Sequence, residues 1–171
     1  MHTVAWWPVL AALGVATVTD LRSRRIPNWL VYPFMIAGVA ASGWKYGLHG
    51  IGQSLSGFAL GAVLFGVLAL MGGMGMGDVK LLAGVGAWVG PSQLVLAAVL
   101  TGIVGGIMAL CWAIAGGFLG ELFHGTGDLI FGMKQRGLSP HPTLVLDNPK
   151  TRKMPYAPAI AIGTLISFFS R

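Results

Sequence analysis

Two aspartates stand apart from the other acids of the chain because each borders a long apolar stretch. Asp20 directly follows the charge-free residues 1–19, and Asp78 lies in the segment GMGDVK at 75–80, between two apolar segments. The remaining three acids belong to the one long polar stretch, where solvation accounts for them; they are Glu121, Asp128 and Asp147.

Two carboxylates in one partly dehydrated pocket can share a proton, because repulsion and desolvation keep one protonated while the other stays ionised. The ionised member can activate water, and the protonated member can protonate a carbonyl or a leaving amine. This chemistry needs neither a metal nor a covalent intermediate. Gly75 and Gly77 permit close approach of a substrate beside Asp78. Asp78 would also lie at the positive end of a helix, which favours it as the ionised member.

The composition indicates an integral membrane protein. Of 171 residues, 55% are hydrophobic and only 9% are charged, whereas a soluble domain carries about 25% charged residues. A soluble enzyme is therefore excluded. The net charge of +6 indicates membrane orientation, because no basic stripe is interleaved with aromatic residues as in nucleic-acid-binding proteins. Nucleic acid is not an expected partner.

The apolar stretches predict an all-α, polytopic fold, since a helix needs roughly 20 apolar residues to cross the hydrocarbon core. Residues 1–171 form one membrane-embedded domain with a polar loop at 121–153. A break is expected at Gly90-Pro91-Ser92, where proline ends one helix and glycine permits a turn. Six transmembrane helices are predicted, at 4–20, 29–44, 54–73, 78–89, 93–119 and 155–169.

Glycines spaced four residues apart predict close packing of helix backbones. They occur at Gly57/Gly61, Gly86/Gly90, Gly102/Gly106 and Gly116/Gly120.

The distribution of basic residues predicts the orientation. The loops after the first, third and fifth predicted helices hold nine Lys and Arg residues, and the opposite side holds two. Short cytoplasmic loops retain such residues, so both termini should lie outside and the 121–153 loop inside. Asp20 and Asp78 then share the cytoplasmic side. Asp78 lies about 15 Å along a helix from the interfacial Trp88, hence within the bilayer, where an ionisable group is functional by default.

Three segments together resemble a known family. Residues 20–28 read DLRSRRIPN, residues 75–80 read GMGDVK, and residues 154–163 read MPYAPAIAIG. The first two resemble the paired motifs of the type IV prepilin peptidases, and the third is similar to the start of that family's last helix. The resemblance covers nearly the whole chain. It implies a GxGD-type aspartic endopeptidase that removes the basic leader of prepilins at the cytoplasmic face of the bacterial inner membrane, with Asp20 and Asp78 as its catalytic pair.

The resemblance extends to residues around this pair. Gly75, Gly77 and Lys80 belong to the second motif as active-site residues. The first motif adds Arg22, Pro27 and Asn28 as candidates for positioning substrate or lipid. Independently of the resemblance, the polar loop adds Glu121, Asp128 and Asp147 as candidates for the same role. The 121–153 loop is expected to cover the aspartates and to contact the basic leader through its acids. The expected partners are a prepilin, with its basic leader and apolar helix, and membrane lipids.

The chain also departs from the bifunctional members of that family. Those members carry two CxxC pairs in an additional cytoplasmic region and methylate the new pilin N-terminus, whereas this chain has the single Cys111 and no N-terminal extension. Methylation is therefore not expected, and the chain is similar to the short peptidases of tight-adherence (Flp) pilus systems. No cofactor or metal is expected, because the four histidines are dispersed.

A different class of function also fits two acids that lie within the bilayer. A small proton-coupled carrier or channel could use Asp20 and Asp78 as relay groups. Carrier sites tend to lie between repeated halves, and no repeat is visible in the sequence. A non-enzymatic scaffold would leave both acids without a purpose.

The predicted topology can be tested with a reporter that is active only outside the cytoplasm. Fused after Gly125 it should be inactive, and fused after Arg171 it should be active, because basic loops stay inside. Activity of the Gly125 fusion would contradict the placement of both aspartates on the cytoplasmic side.

Overall fold

The structure is a computed structural model that describes residues 6–70, 74–117, 120 and 154–170. Its regular elements are all helices, in agreement with the predicted all-α class. In chain order they are α1 (Trp6–Ser23), α2 (Asn28–Leu70), α3 (Met76–Val89), α4 (Pro91–Ala115) and α5 (Ala157–Phe169). The predicted break at Gly90 is confirmed, because α3 ends directly before it and α4 begins directly after it.

Helix α2 is interrupted at Gly47, whose φ of 60° and ψ of −145° are not helical. Side chains on either side of this glycine come together, since a Cβ built on Gly43 would lie 3.0 Å from Ile51. A Cβ built on Gly50 would overlap the backbone carbonyl of Ser42. The chain therefore reverses at Gly47, and α2 is a helical hairpin made of residues 28–46 and 48–70.

Contacts with α3 fix the directions of these two halves. Trp88 donates its indole N–H to the Phe34 carbonyl at 2.8 Å, and Lys80 bonds to Asn28, so residues 28–46 run parallel to α3. The second half runs antiparallel, because Ser54 lies against Ala87 and Gly61 lies against Ala83.

The remaining helices also run in alternating directions. Helix α4 turns back after Gly90, which adopts a φ of 79° that glycine permits. Gln93 near the start of α4 donates to the Ser167 carbonyl near the end of α5 at 2.6 Å, so these helices are antiparallel. Six helical segments thus alternate in direction, with the second and third continuous through Gly47. That each of them crosses a membrane stays a prediction.

The structure shifts several predicted helix boundaries. The predicted gap between residues 44 and 54 is mostly helical, and only Gly47 departs from helical geometry. The predicted second and third helices left ten residues between them, but a glycine with positive φ reverses the chain in a single residue. Helix α4 ends at Ala115 rather than at 119.

Helix α3 occupies the centre of the described structure, and Leu81, Leu82 and Val85 have no exposed surface. Close backbone contact with α2 makes this possible. A Cβ on Gly57 would overlap the carbonyl of Gly86. Close packing of glycines is thus confirmed at this contact.

Gly102 and Gly106 on α4 show no such packing against the described residues, because a Cβ on either glycine would meet none of their atoms within 4 Å. It is Gly105, between them along the chain, that contacts another helix, because a Cβ there would lie 2.7 Å from the Tyr156 hydroxyl oxygen.

The outer surface of the bundle is strongly apolar. Trp44 is 95% exposed, Phe169 77% and Ile36 69%. Apolar exposure of this extent is typical of a surface that contacts lipid. Two helices, Asn28–Leu70 and Pro91–Ala115, are long and apolar enough to span a membrane. These features fit a membrane protein.

The Gly57–Gly86 contact generates a stability prediction. Gly57→Ala should lower the free energy of unfolding by about 1–3 kcal/mol, because the added methyl group must push α2 away from α3. Gly66→Ala in the same helix is the matched control, since its Cβ would meet nothing within 4 Å. The control should be neutral or stabilising by up to about 1 kcal/mol. Unfolding in detergent micelles measures both, and equal stabilities of the two variants would contradict the close contact.

Candidate active site

Asp20 lies one turn before the end of α1 and is buried, with 6% of its surface exposed. Its Oδ2 accepts a hydrogen bond of 3.0 Å from the backbone N–H of Ala157, the first residue of α5. The first N–H groups of a helix have no partner within the helix, and they carry partial positive charge. The start of α5 therefore solvates the carboxylate of Asp20 inside the protein.

The short connection from α1 to α2 carries the rest of the first motif. Arg24 adopts a φ of 51° and donates its backbone N–H to the Asp20 carbonyl at 2.8 Å, which ends α1. The Pro27 carbonyl accepts from the N–H of Leu30 at 3.1 Å, which begins α2. This sharp turn brings Asn28 to the start of α3.

Asp78 lies in the first turn of α3, three residues after the N-cap Gly75. Its backbone N–H donates to the Gly75 carbonyl at 3.1 Å, and its carboxylate interacts electrostatically with the Gly75 backbone. Gly75 fits here closely, because a Cβ on it would lie 3.1 Å from the Asp78 carboxylate.

The two aspartates lie at the same end of the bundle, close enough for their charges to interact. They come from separate motifs and different helices, and their surroundings differ. Asp20 is buried, whereas Asp78 is partly exposed. Each carboxylate lies at a helix N-terminus, that of α5 for Asp20 and that of α3 for Asp78. The helix-dipole argument used to choose Asp78 as the ionised member therefore applies to both and does not distinguish them.

Lys80 connects the second motif to the first. Its Nζ donates to Asn28 Oδ1 at 3.1 Å and to the Tyr32 hydroxyl at 3.3 Å, and it lies 5.3 Å from the centre of the Tyr32 ring. Lys80 thus attaches the first turn of α3 to the start of α2. These contacts fix the start of α3 relative to the start of α2.

The remaining predicted site residues do not form one cluster with the two aspartates in the described structure. Gly77 packs beside Ile26, since a Cβ on Gly77 would lie 3.3 Å from the Ile26 Cβ. Arg22 is exposed in the last turn of α1. Three predicted positioning acids lie outside the described residues; they are Glu121, Asp128 and Asp147.

Tyr156 is a neighbour of both aspartates that is not among the predicted site residues. It directly precedes Ala157, the residue that binds Asp20, and it interacts electrostatically with Asp78. Gly105 provides the space for its ring. The sequence feature that indicates this location is the place of Tyr156 between two prolines in the third motif. These prolines fix Tyr156 at the start of α5.

Within the described ranges, no three His, Cys, Asp or Glu side chains come together as a metal site would require. The expectation of a metal-free reaction stays a prediction.

Comparison with known proteins identifies the family. The model of the type IV leader peptidase family matches residues 7–110, which is more than half of the chain and includes both aspartates. The chain belongs to the type IV leader peptidase family. The resemblance inferred from the motifs is thereby confirmed.

Individual members of the type IV leader peptidase family are also similar to this chain in sequence. The chain is 32% identical over 120 residues to a prepilin leader peptidase/N-methyltransferase of Burkholderia pseudomallei strain 1026b, covering 62% of the chain and 37% of that protein. A protein of the same name from Xanthomonas campestris pv. campestris is 33% identical over 105 residues, covering 57% of the chain and 36% of that protein. The chain thus spans less than half of the length of these relatives. No solved structure matches it.

The contact between Asp20 and Ala157 generates a stability prediction. Asp20→Ala should lower the free energy of unfolding by about 1–2 kcal/mol, because it leaves the first N–H of α5 buried without a partner. Asp20→Asn should cost less, since an amide oxygen can still accept this hydrogen bond. Unfolding in detergent measures both variants. Equal losses for Ala and Asn would contradict the capping role.

Proposed function

We propose that this protein is an aspartic endopeptidase that removes the leader peptide of type IV, Flp-like prepilins, with Asp20 and Asp78 as its catalytic pair. The observation that carries the proposal is the meeting of these two acids. Separate motifs, 58 positions apart in the sequence, place their carboxylates at one end of the bundle, each at a helix N-terminus, where their charges interact.

In the proposed reaction one aspartate is ionised and the other is protonated. The ionised carboxylate accepts a proton from water, whose oxygen adds to the carbonyl carbon of the scissile peptide bond. The protonated carboxyl donates its proton to the carbonyl oxygen. When the tetrahedral intermediate collapses and the C–N bond breaks, the aspartate that took the proton from water donates it to the leaving amine. The other aspartate takes back a proton from a hydroxyl of the intermediate, so the pair returns to one ionised and one protonated carboxyl group. The pair needs no covalent intermediate, because both carboxyl groups only exchange protons.

The surroundings of the two carboxylates support a division of roles. Asp20 is buried and held by the Ala157 N–H, so its orientation is fixed by α5. Asp78 is partly exposed beside Gly75, where little side-chain bulk obstructs an extended peptide. A substrate therefore approaches from the Gly75–Asp78 side, and Asp20 lies behind it.

We place the six helical segments across the bacterial inner membrane, with both termini outside and the aspartates on the cytoplasmic side. The apolar outer surface and the nine-to-two distribution of basic residues support this orientation. Helix α3 has 14 residues, or about 21 Å of length, which is shorter than the hydrocarbon core of about 30 Å. Its first turn, with Asp78, then lies below the membrane surface, where a prepilin presents the boundary between its leader and its apolar helix.

The carrier alternative is not favoured, because the family and the curated relatives are named for leader-peptide cleavage. Those relatives are also named as N-methyltransferases, but the chain matches only part of their length. The proposal covers the peptidase step. That this chain lacks methyltransferase activity, and that the 121–153 loop contacts the leader, stay predictions.

Catalysis by the pair predicts that Asp20→Asn and Asp78→Asn each lower the rate of leader cleavage by at least about 100-fold, because an amide cannot transfer the proton. The readout is the mobility shift of a co-expressed Flp-type prepilin. Asparagine is the informative replacement, since it keeps an oxygen to accept the Ala157 N–H at position 20.

Ser56→Ala provides a matched control at an exposed position of α2, where the hydroxyl only bonds to a carbonyl one turn back. It should cleave at the wild-type rate. If either asparagine variant inserts normally and still cleaves at that rate, the corresponding aspartate is not part of the catalytic pair.

A further inference from the structure

A cavity of about 290 Å³, lined by apolar and polar side chains, lies at the end of the bundle opposite to the aspartates. It is formed where the chain reverses twice, at Gly47 within α2 and at Gly90 between α3 and α4. Trp88 lines it and lies ten residues after Asp78 on α3, a separation of about 15 Å along the helix. The cavity is therefore distinct from the candidate active site.

The side chains around this cavity offer hydrogen-bond donors. Lys45 supplies an ammonium group, His49 an N–H in either protonation state, and Gln53 an amide. Ser92 adds a hydroxyl from the first turn of α4. These four side chains are exposed, so they can reach a ligand in the cavity.

The charge at this end of the bundle is positive. In the described part of the chain the carboxylates are those of Asp20 and Asp78, and both lie at the far end. The ammonium of Lys45 lies 5.3 Å from the centre of the Tyr46 ring, and neither acid among the described residues lies at this end to compensate its charge. An anion would provide that compensation.

The hairpin of α2 builds this arrangement. Gly47 reverses the chain between Lys45 and His49, and Gly50 lets the two halves approach because it has no Cβ to meet Ser42. The cation of the first half and the imidazole of the second half thus line one cavity.

The surface beside the cavity is apolar. Trp44 is 95% exposed and Leu48 is 87% exposed, and both flank Lys45 and His49 in the chain. Exposed tryptophan beside a cation is typical of the boundary between lipid and water. A ligand that fits both surfaces has an anionic phosphate group joined to an apolar chain.

We propose that this cavity binds the phosphate group of an anionic phospholipid in the leaflet opposite to the candidate active site. Lys45, His49, Gln53 and Ser92 bind the phosphate oxygens, and the acyl chains lie along the exposed apolar surface of the α2 hairpin. The proposal rests on the membrane placement above and not on peptidase activity.

The test measures retention of phosphatidylglycerol by native mass spectrometry of protein released from nanodiscs that contain phosphatidylglycerol and phosphatidylcholine. The double variant Lys45→Gln/His49→Gln should retain about five- to tenfold less phosphatidylglycerol than the wild type, as expected for the loss of a cation and a donor near an anionic headgroup. Arg25→Gln, which removes an exposed cation at the other end, is the matched control and should retain the wild-type amount.

A second variant keeps the proposal testable if the double variant folds poorly. Ser92→Glu places a carboxylate in the cavity, where it should repel a phosphate group, while an acid in the first turn of α4 is favourable for the helix. It should lower retention to a similar extent. Wild-type retention by Ser92→Glu or by a folded double variant would overturn the proposal.

Inorganic phosphate in nanodiscs of phosphatidylcholine alone distinguishes the two sources of the ligand. Millimolar phosphate should leave the thermal midpoint of the wild type unchanged, because a free anion lacks the apolar contacts. A rise in the wild type that the double variant lacks would overturn the lipid source and identify a free-anion site. Lipid retention is measured without a prepilin, so failure of the proposed peptidase function would not alter it.

Discussion

The hydrogen bond from the Ala157 N–H to the Asp20 carboxylate joins the first helix of the protein to the last. A buried charge is costly unless it is paired or hydrogen-bonded, so Asp20 depends on α5 for its place in the interior. The start of α5 in turn depends on Asp20 for a partner to its first N–H. The same contact brings Tyr156 beside the site and positions Asp20 near Asp78. One interaction thus couples the closure of the bundle to the geometry of the acids.

The second constraint is the central position of α3. Helix α3 lies in the middle of the bundle because its neighbour comes close. Glycines at the α2–α3 contact allow this approach. Leu81, Leu82 and Val85 are then fully buried, while Asp78 remains partly accessible at the end of the helix. Lys80 fixes that end to Asn28 and Tyr32. Rigid packing along α3 therefore supports a site that is open at one end.

The two ends of the bundle differ in their functional groups. One end holds the carboxylates of Asp20 and Asp78, and the other holds the cavity lined by Lys45 and His49. The two carboxylates and the cavity lie where helices begin or reverse. Backbone groups and polar side chains are available there to form such sites, whereas the middle parts of the helices are apolar. In the proposed orientation the two ends face opposite membrane surfaces, with the proposed proton transfer at one and the proposed anion binding at the other.

The sequence by itself determined the helical class, the break at Gly90 and the pair of acids, because apolar stretches and charged residues bordering them are local features that survive in any packing. The motifs around Asp20 and Asp78 also identified the family that the comparison confirmed. Tertiary structure decided what the local pattern leaves open. The sequence predicted a break between residues 44 and 54 because Lys45 interrupts the charge-free stretches, yet Gly47 alone reverses the chain, since the packing of both halves against α3 selects its positive φ. The spacing of the glycines could not show that Gly105, rather than Gly102 or Gly106, faces a neighbouring helix. A regular spacing does not specify which side of α4 meets Tyr156. The partner of Asp20 lies 137 positions away, and a hydrogen bond over such a distance in the chain exists only once the helices have packed.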